Sequence, residues 1–498
     1  MTNENRNKTY THILKYTGLF GGVQGLGILV GIVRNKLVAL LLGAEGMGLM
    51  SLFNSTTKLI SDSTNFGLSM SAVRELSAAF EQHNETYMRC CIDSVRLWSM
   101  LTALLGMAVC MVISPILSRW VFGWGDHSLH FVLLSIVVFL MAVTGGELAI
   151  LKALRQLKSL AKISFLNIVG ALITSIPLFY IWRQAAIVPS LIIVALTQML
   201  LTIYYSHRQY AIHFNWSKTL LLQGSPMLKI GVAFVLAGIL GSGADFLIRR
   251  YLNVLGSVET VGLFNAAYMM TMTYAGLVFS AMETDFFPRL SSIKHTGALL
   301  NETVNSQIEV SLLLISPMLV VFMVGVPVLL PLLYSREFVS LQVMVQTLVL
   351  AMYWRAVKLP IAYIPLAKGN SRLYLLVEAI YDVVLVLTVI AGFHYYELLG
   401  AGIAITLVSA LDFFMLFYFM HTAYQYNISN SVWQYLGIQL MFGLVTYGLV
   451  LSTHGWVYWG GGTVLVLLSL SVSLRILRKK TDMWTCLLYT SDAADDSL

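Results

Sequence analysis

The feature that most constrains this chain is a recurring one. Apolar stretches of about twenty residues, the length a helix needs to cross a hydrocarbon core roughly 30 Å thick, return from one end to the other. They place crossings at 16–42, 46–73, 93–118, 130–151, 161–182, 185–206, 230–254, 259–287, 307–334, 340–366, 373–393, 398–422, 432–451 and 456–476. Many of these are apolar around the whole helical circumference, as suits helices in lipid and not the alternating strands of an outer-membrane barrel. With 58% apolar and only 11% charged residues in 498, and a mean hydropathy of +0.78, the chain has too little polar surface to cover a soluble globule. The expected fold is an all-α polytopic membrane protein with about fourteen transmembrane helices.

The opening MTNENRNKTYTHILKY has no short apolar core followed by a small-residue cleavage site, so the first crossing is expected to direct insertion itself. With the N-terminus in the cytoplasm, that side receives Arg6, Lys8, Lys15, Lys152, Lys158, Lys162, Lys218, Lys368 and the basic run ending at Lys480. The other side receives Arg119, Arg183 and Arg336. This asymmetry predicts that both termini are cytoplasmic, and in a bacterium the membrane is the inner one. The net charge of +7 is spread over those loops, so it reflects topology and not a nucleic-acid surface. The closing MWTCLLYTSDAADDSL, 483–498, shares no composition with the chain before it and reads as a non-native read-through tail.

Sliding the chain against itself by 214 residues sets Glu45, Gly48 and Leu49 on Glu259, Gly262 and Leu263. At the same shift Lys36 meets Arg250; at 213 Arg155 meets Lys368, and at 215 Arg74 meets Arg289. An offset holding an even number of crossings keeps the topology of the first copy, as in parallel-repeat transporters. The expected organisation is an N-lobe at 1–206, a cytoplasmic linker at 207–229, a C-lobe at 230–424 and two further helices within 425–482. In LVALLLGAEGMGLMSLFN, 37–54, the glycines are expected to let the first hairpin turn tightly, with Glu45 solvated and the joint itself binding nothing.

An ionisable side chain at the bilayer centre costs about 2.5–3.5 kcal/mol on insertion scales, so it usually faces a partner or a wet cavity. The first crossing holds Arg34 and Lys36. The second holds Lys58 and Asp62 at i and i+4, with Arg74 and Glu75 at its cytoplasmic end. The seventh holds Asp245 and Arg249, again four apart, with Arg250 beside them. Glu283, Asp285 and Arg289 close the eighth crossing. Arg355 and Lys358 lie in the tenth, Glu378 and Asp382 in the eleventh, and Asp412 in the twelfth. Intrabundle ion pairing accounts for the i, i+4 pairs. Taken together, Arg34, Lys36, Lys58, Arg249 and Arg250 lie on the first hairpin of each copy. Were those hairpins to face one cleft, it would be cationic and suited to a phosphate or pyrophosphate. Asp62, Arg74, Asp245, Glu283, Asp285, Arg289 and Arg355 are the candidates for coupling or gating.

Other chemistries find no support. Cys90, Cys91, Cys110 and Cys486 have no CxxC spacing and no histidine pair nearby, so no metal is assigned. GGVQGLG at 21–27 has neither a strand before it nor Lys-Ser after it, and reads as helix packing, not a nucleotide loop. No nucleophile stands with a base and an orienter, so no enzyme is expected. Pro177, Pro189, Pro317, Pro327, Pro331, Pro360 and Pro365 lie in apolar runs where they are expected to kink helices.

The first hairpin GILVGIVRNKLVALLLGAEGMGLMSLFNSTTKLISDSTNFGLSMSAVREL, its echo ETVGLFNAAY and the loop AKGNSRLY resemble the polysaccharide flippases of the multidrug/oligosaccharidyl-lipid/polysaccharide exporter superfamily, of the O-antigen type. The resemblance runs over about residues 10–476. It implies two six-helix lobes in a V plus two C-terminal helices, alternating access, no cofactor, and an undecaprenyl-pyrophosphate-linked oligosaccharide as substrate. It also implies a membrane-lipid environment and, as partners, a polysaccharide polymerase and assembly proteins. Arg34, Arg249 and Arg250 are the positions that match the pyrophosphate-binding cations of related flippases. The second joint departs from the pattern, with Thr260 where the first has Gly46. The alternative within the superfamily is a cation-coupled multidrug exporter, with Asp245, Glu283 and Asp285 as its acidic candidates. A membrane glycan polymerase or ligase would need a large external loop, and none is apparent.

Overall fold

In lipid no water is available to satisfy exposed backbone N–H and C=O groups, so apolar runs of this length fold as helices that bond within themselves. A computed structural model describes residues 3–81, 85–123, 126–154, 156–211, 218–274 and 297–480, with 279, 286, 289–291 and 293 between the last two. Among these residues the structure is all-α.

The helices, numbered in chain order, are α1 (Asn3–Thr64), α2 (Leu68–Glu81), α3 (Glu85–Val121), α4 (Ser128–Ala153), α5 (Leu157–Trp182), α6 (Ile187–His207), α7 (Lys218–Leu255), α8 (Val258–Tyr268), α9 (Ala298–Leu333), α10 (Gln342–Ala367), α11 (Ser371–Tyr424), α12 (Asn430–Ser452) and α13 (Gly455–Lys480). A π-helical turn, Met269–Tyr274, continues α8. Among the described residues nine helical stretches are long and apolar enough to cross a membrane. Three of these are interrupted. Val30–Thr64 breaks at Gly43, which holds φ 67° in the left-handed region that glycine adopts without steric cost. Lys158–His207 breaks at the short 3₁₀ turn Arg183–Ala186, and Ser371–Tyr424 reverses at Tyr396 and Glu397. These interruptions fall where the sequence separates the first crossing from the second, the fifth from the sixth, and the eleventh from the twelfth.

The recorded breaks inside long helices are at Gly43 and at Tyr396–Glu397; Pro177, Pro317, Pro327, Pro331, Pro360 and Pro365 all lie inside continuous helices. Many large apolar side chains lie on the outside, among them Val112, Ile116, Ile173, Leu200, Leu332 and Leu387. A soluble protein could not carry such a surface, and a lipid-facing one requires it.

The chain divides into two compact units. The first comprises Met1–Leu263 with Leu332–Glu337, the second Phe264–Pro331 with Phe338–Leu498. The division therefore falls after α7 and the start of α8. Within the first unit, α2, α3 and α4 meet around Leu76, Ile92, Val95 and Ile150. Within the second, α9, α10, α11 and α12 enclose Ile308, Leu312, Met323, Val349, Tyr353 and Phe413. The turn from α11 to α12 is fixed by buried Asn305. Its Nδ2 donates to the Asn427 carbonyl (2.9 Å), while its Oδ1 accepts from the Tyr426 hydroxyl (2.9 Å) and the Ser429 N–H (3.2 Å).

Candidate functional site

The site is built from the end of the first unit where α1 turns at Gly43 and α7 passes into α8. Of the three glycines in the first joint, Gly43 carries the turn and Gly48 carries a contact. A Cβ on Gly48 would fall 1.9 Å from the Val258 carbonyl oxygen, and one on Gly262 would fall 1.8 Å from the Ala44 carbonyl oxygen. Backbone lies directly on backbone. Residues 44 and 48 differ from 258 and 262 by 214, the offset of the sequence repeat, so the two joints meet reciprocally. The second joint turns differently: Ser257 stands at the place of Gly43, and its Oγ accepts from the Thr260 N–H (3.1 Å) as an N-cap for α8. The expectation that each joint only turns the chain is thus incomplete, because each is also the packing surface of the other.

The five cations expected to hold a pyrophosphate are placed as follows. Arg34, half-buried on the first arm of α1, donates Nε to Ser175 Oγ on α5 (3.3 Å). Lys36 Nζ donates to the Tyr334 carbonyl. Lys58 is exposed, and Asp62, one turn on, packs its Cβ 3.8 Å from where a Cβ on Gly238 of α7 would stand. Arg249 is only 6% exposed. It forms an ion pair with Asp245, donates Nη1 to the Asp245 carbonyl (3.1 Å) and donates Nε to Ser51 Oγ (2.7 Å). Arg250 donates Nε to the Trp120 carbonyl (2.7 Å), and its guanidinium lies 4.8 Å from the Trp120 ring centroid. Arg34 thus bonds to α5, Arg249 to α1 and Arg250 to α3, while Lys36 reaches the segment after α9. The structure brings Arg249, Arg250, Ser51 and Trp120 to one end of the unit. Among the described residues the hydrogen bonds recorded for Arg34, Lys36, Arg249 and Arg250 go to different partners.

Of the coupling candidates, Asp62 and Asp245 lie in the first unit as described. Glu283 and Asp285 lie outside the described residues, as does the side chain of Arg74. In the second unit Arg289 is exposed and donates to Gln307 Oε1 (3.2 Å), and Arg355 donates to Met272 Sδ (3.6 Å). Lys358 forms an ion pair with buried Asp412 and stands 4.3 Å from the Tyr381 ring centroid.

Sequence reasoning missed Arg96 and Glu147. Arg96 Nε donates to Glu147 Oε1 (2.9 Å) and Nη2 to Oε2 (3.3 Å), and the same guanidinium reaches Ser206 Oγ and the carbonyls of Tyr210 and Ala211. One arginine thereby ties α3, α4 and the end of α6 together. The available signal was a lone glutamate in the apolar run VTGGELAIL and a lone arginine in SVRLW.

At the joint end lies a cavity of about 620 Å³ whose wall includes Glu45, Phe122, Gly123, Asn253, Ser257 and Glu259. Both glutamates of the repeated joint are therefore on one cavity.

Residues 37–343, more than half of the chain, match the model of a family described as polysaccharide biosynthesis protein. The chain belongs to that family. Its matched region starts within the first arm of α1 and includes both joints and the whole of α3 to α9. No curated protein sequence matches the chain significantly. Among solved structures it is similar to the lipid II flippase MurJ in an inward closed conformation, with TM-score 0.72 and 11% identity over 93% of this chain and 99% of that one. It is also similar to an inward-facing multidrug resistance MATE family transporter of the MOP superfamily, with TM-score 0.61 and 15% identity over 80% of this chain and 94% of that one. For the Vibrio cholerae MATE transporter VcmN, as its D35N mutant, the TM-score is 0.60 at 14% identity, over 84% of this chain and 99% of that one. Identities this low establish the fold. The chain is thus a member of the polysaccharide biosynthesis family with the fold seen in the MurJ and MATE structures.

Proposed function

We propose that the protein moves an undecaprenyl-pyrophosphate-linked oligosaccharide from the cytoplasmic to the periplasmic leaflet of a bacterial inner membrane by alternating access. The observation that carries this reading is the polysaccharide-biosynthesis family match, which takes in the joints and most of the cationic positions around them. The fold it shares with a lipid II flippase supports a lipid-linked glycan as the cargo class. A pyrophosphate presents several anionic oxygens, and arginine forks bind such groups bidentately. Arg34, Lys36, Lys58, Arg249 and Arg250 are the proposed contacts. In the conformation described Arg249 is paired with Asp245, so its use by a substrate requires that pair to open. Asp245, Asp62 and Arg74, with Glu283, Asp285, Arg289 and Arg355, are the proposed coupling and gating groups. A polysaccharide polymerase and assembly proteins are the proposed partners, and the flipped glycan would feed O-antigen, capsule or exopolysaccharide synthesis.

The test is complementation of a flippase-null strain by Arg34→Ala, Arg249→Ala and Arg250→Ala, one at a time, with membrane insertion checked by immunoblot. A lost hydrogen bond to a charged group is worth about 1.5–3 kcal/mol, so surface polysaccharide should fall about tenfold or more at equal protein level. Normal polysaccharide from all three variants would refute the site. The likeness to MATE transporters supports a second reading, a cation-coupled multidrug exporter. That reading predicts resistance to cationic dyes on expression and its loss in Asp245→Asn, with no effect on surface polysaccharide.

A further inference from the structure

Two histidines at the turn from α3 to α4 have no part in the site described above. His127 stands at the N-cap of α4 with no side-chain capping bond, and His130 follows on the first turn of that helix. Both are half-buried, and their ring centroids are 5.3 Å apart. The Phe122 ring lies 4.2 Å from His127, and the Phe53 ring, on the second arm of α1, stacks on His130 at 5.8 Å. Phe53, Phe122 and Phe131 meet one another at 5.5, 5.7 and 6.1 Å, and none is more than 3% exposed. The imidazoles are therefore set against an aromatic cluster that joins α1, the end of α3 and α4.

This setting favours neutral rings. Two imidazolium ions at that spacing repel, and the first turn of a helix carries the positive end of its macrodipole. His130 Nδ1 is buried without a hydrogen-bond partner among the described residues, so a charged ring would hold an N–H there with nothing to accept it. Burial, followed by His130, holds the His127 imidazole below the usual histidine range, while Asp126 pulls the other way. Asp126 is exposed and accepts from the Ser128 N–H (2.9 Å), and Arg119 on α3 acts on it. From the neighbouring elements, α1 presents Phe53 and α7 presents Arg250, which is held on the Trp120 carbonyl.

The same turn anchors α7. The Trp120 and Val121 carbonyls accept from Arg250 Nε (2.7 Å) and Asn253 Nδ2 (2.8 Å), and Phe122 is the next residue. The His127 N–H closes the turn on Ser118 Oγ (2.8 Å). We propose that His127 and His130 form an acid-operated latch in the first unit. Neutral, they pack on Phe122 and Phe53 and hold the end of α3 against α1 and α7. Protonated together, they leave the aromatic cluster for water, and the turn that carries Arg250 and Asn253 loosens. For His127, held below its unfolded value of about 6.5, the stabilisation is complete above that pH and is lost as the pH falls through the folded value. The topology adopted above puts the latch on the periplasmic side, but the latch depends on neither that topology nor the identity of the cargo.

Hydrogen–deuterium exchange of the full-length protein in detergent tests this, compared between about pH 7.5 and about pH 5, the window in which histidine changes charge. After correction for intrinsic rates, amides at the end of α3 and in the first turn of α4 should open about tenfold more at the lower pH, as two neighbouring titrations that favour the open form imply. Amides of α12 and α13 should not change. His127→Gln/His130→Gln should abolish the difference, and His454→Gln, in the turn between α12 and α13, should keep it. No acid-induced opening in the wild type, equal opening throughout α12 and α13, the full response in the double variant, or its loss in His454→Gln would each overturn the proposal. The wild-type comparison decides by itself if the double variant does not fold. None of these readouts uses a glycan, so failed complementation and a failed latch remain separate results.

Discussion

Arg96 and Glu147 are mutually dependent in a way their neighbours are not. The side chains are 11% and 7% exposed, and the guanidinium makes a two-point bond to the carboxylate while reaching the end of α6. Removing one member of a buried pair strands the other charge, which typically costs about 3–5 kcal/mol, whereas replacing both with apolar residues is often neutral. Arg96→Ala should therefore lower the thermal unfolding temperature of the detergent-solubilised protein sharply, and Arg96→Met/Glu147→Met should recover most of the loss. Equal loss in the single and double variants would mean that the pair's own interactions, and not a stranded charge, account for the loss. The sequence made the Asp245–Arg249 pair visible because residues four apart share one face of a helix. It concealed Arg96–Glu147 because those residues are 51 positions apart, and nothing local says which distant helix a buried charge will meet. Charge pattern likewise identified Arg34, Arg249 and Arg250 as unusual, but their partners Ser175, Ser51 and Trp120 are decided by packing.

Helix positions were more legible than helix ends. The apolar windows in the described residues became helical, the one at 46–73 broken by a turn at 65–67 between α1 and α2, since insertion energetics and backbone satisfaction select the same segments. The ends overran the windows: α3 begins at Glu85, α7 at Lys218 and α9 at Ala298, several residues before the apolar stretch in each case. Hydropathy measures the cost of leaving water, and a helix continues into water without that cost. The contact between the second arm of α1 and α8 was not legible, because glycine in a joint reads as a turn residue. A methyl group at residue 48 would stand 1.9 Å from the Val258 oxygen, so the two elements must separate to admit it. Overpacking of this kind costs about 1–3 kcal/mol. Gly48→Ala and Gly262→Ala should each lower the Tm, while Gly31→Ala, which has nothing within 4 Å of the added carbon, should leave it unchanged or raise it. Equal behaviour of the three variants would mean that the joints do not press on each other in solution.

At the scale of the molecule, charge asymmetry between loops predicts the orientation, and labelling checks it. In a protein whose cysteines have been replaced, Asp126→Cys in the exposed α3–α4 loop should react with a membrane-impermeant maleimide on intact spheroplasts. Gln209→Cys after α6 should react only after lysis. The reverse pattern would invert the topology. The repeat was legible as an offset of 214 residues, yet the sequence did not disclose that α7 packs into the first unit. There it buries Arg249 against Ser51 and Asn253 against Val121. Length and hydropathy locate crossings, whereas partition into units depends on which faces meet. The reciprocal contact of 44 with 262 and of 48 with 258 has an evolutionary consequence. After a duplication the two copies usually diverge freely, but here any side chain gained on one copy intrudes on the backbone of the other. The carbonyls of Val258 and Ala44 are there whatever side chain those residues carry, so Gly48 and Gly262 should stay glycine among descendants while the rest of each copy drifts.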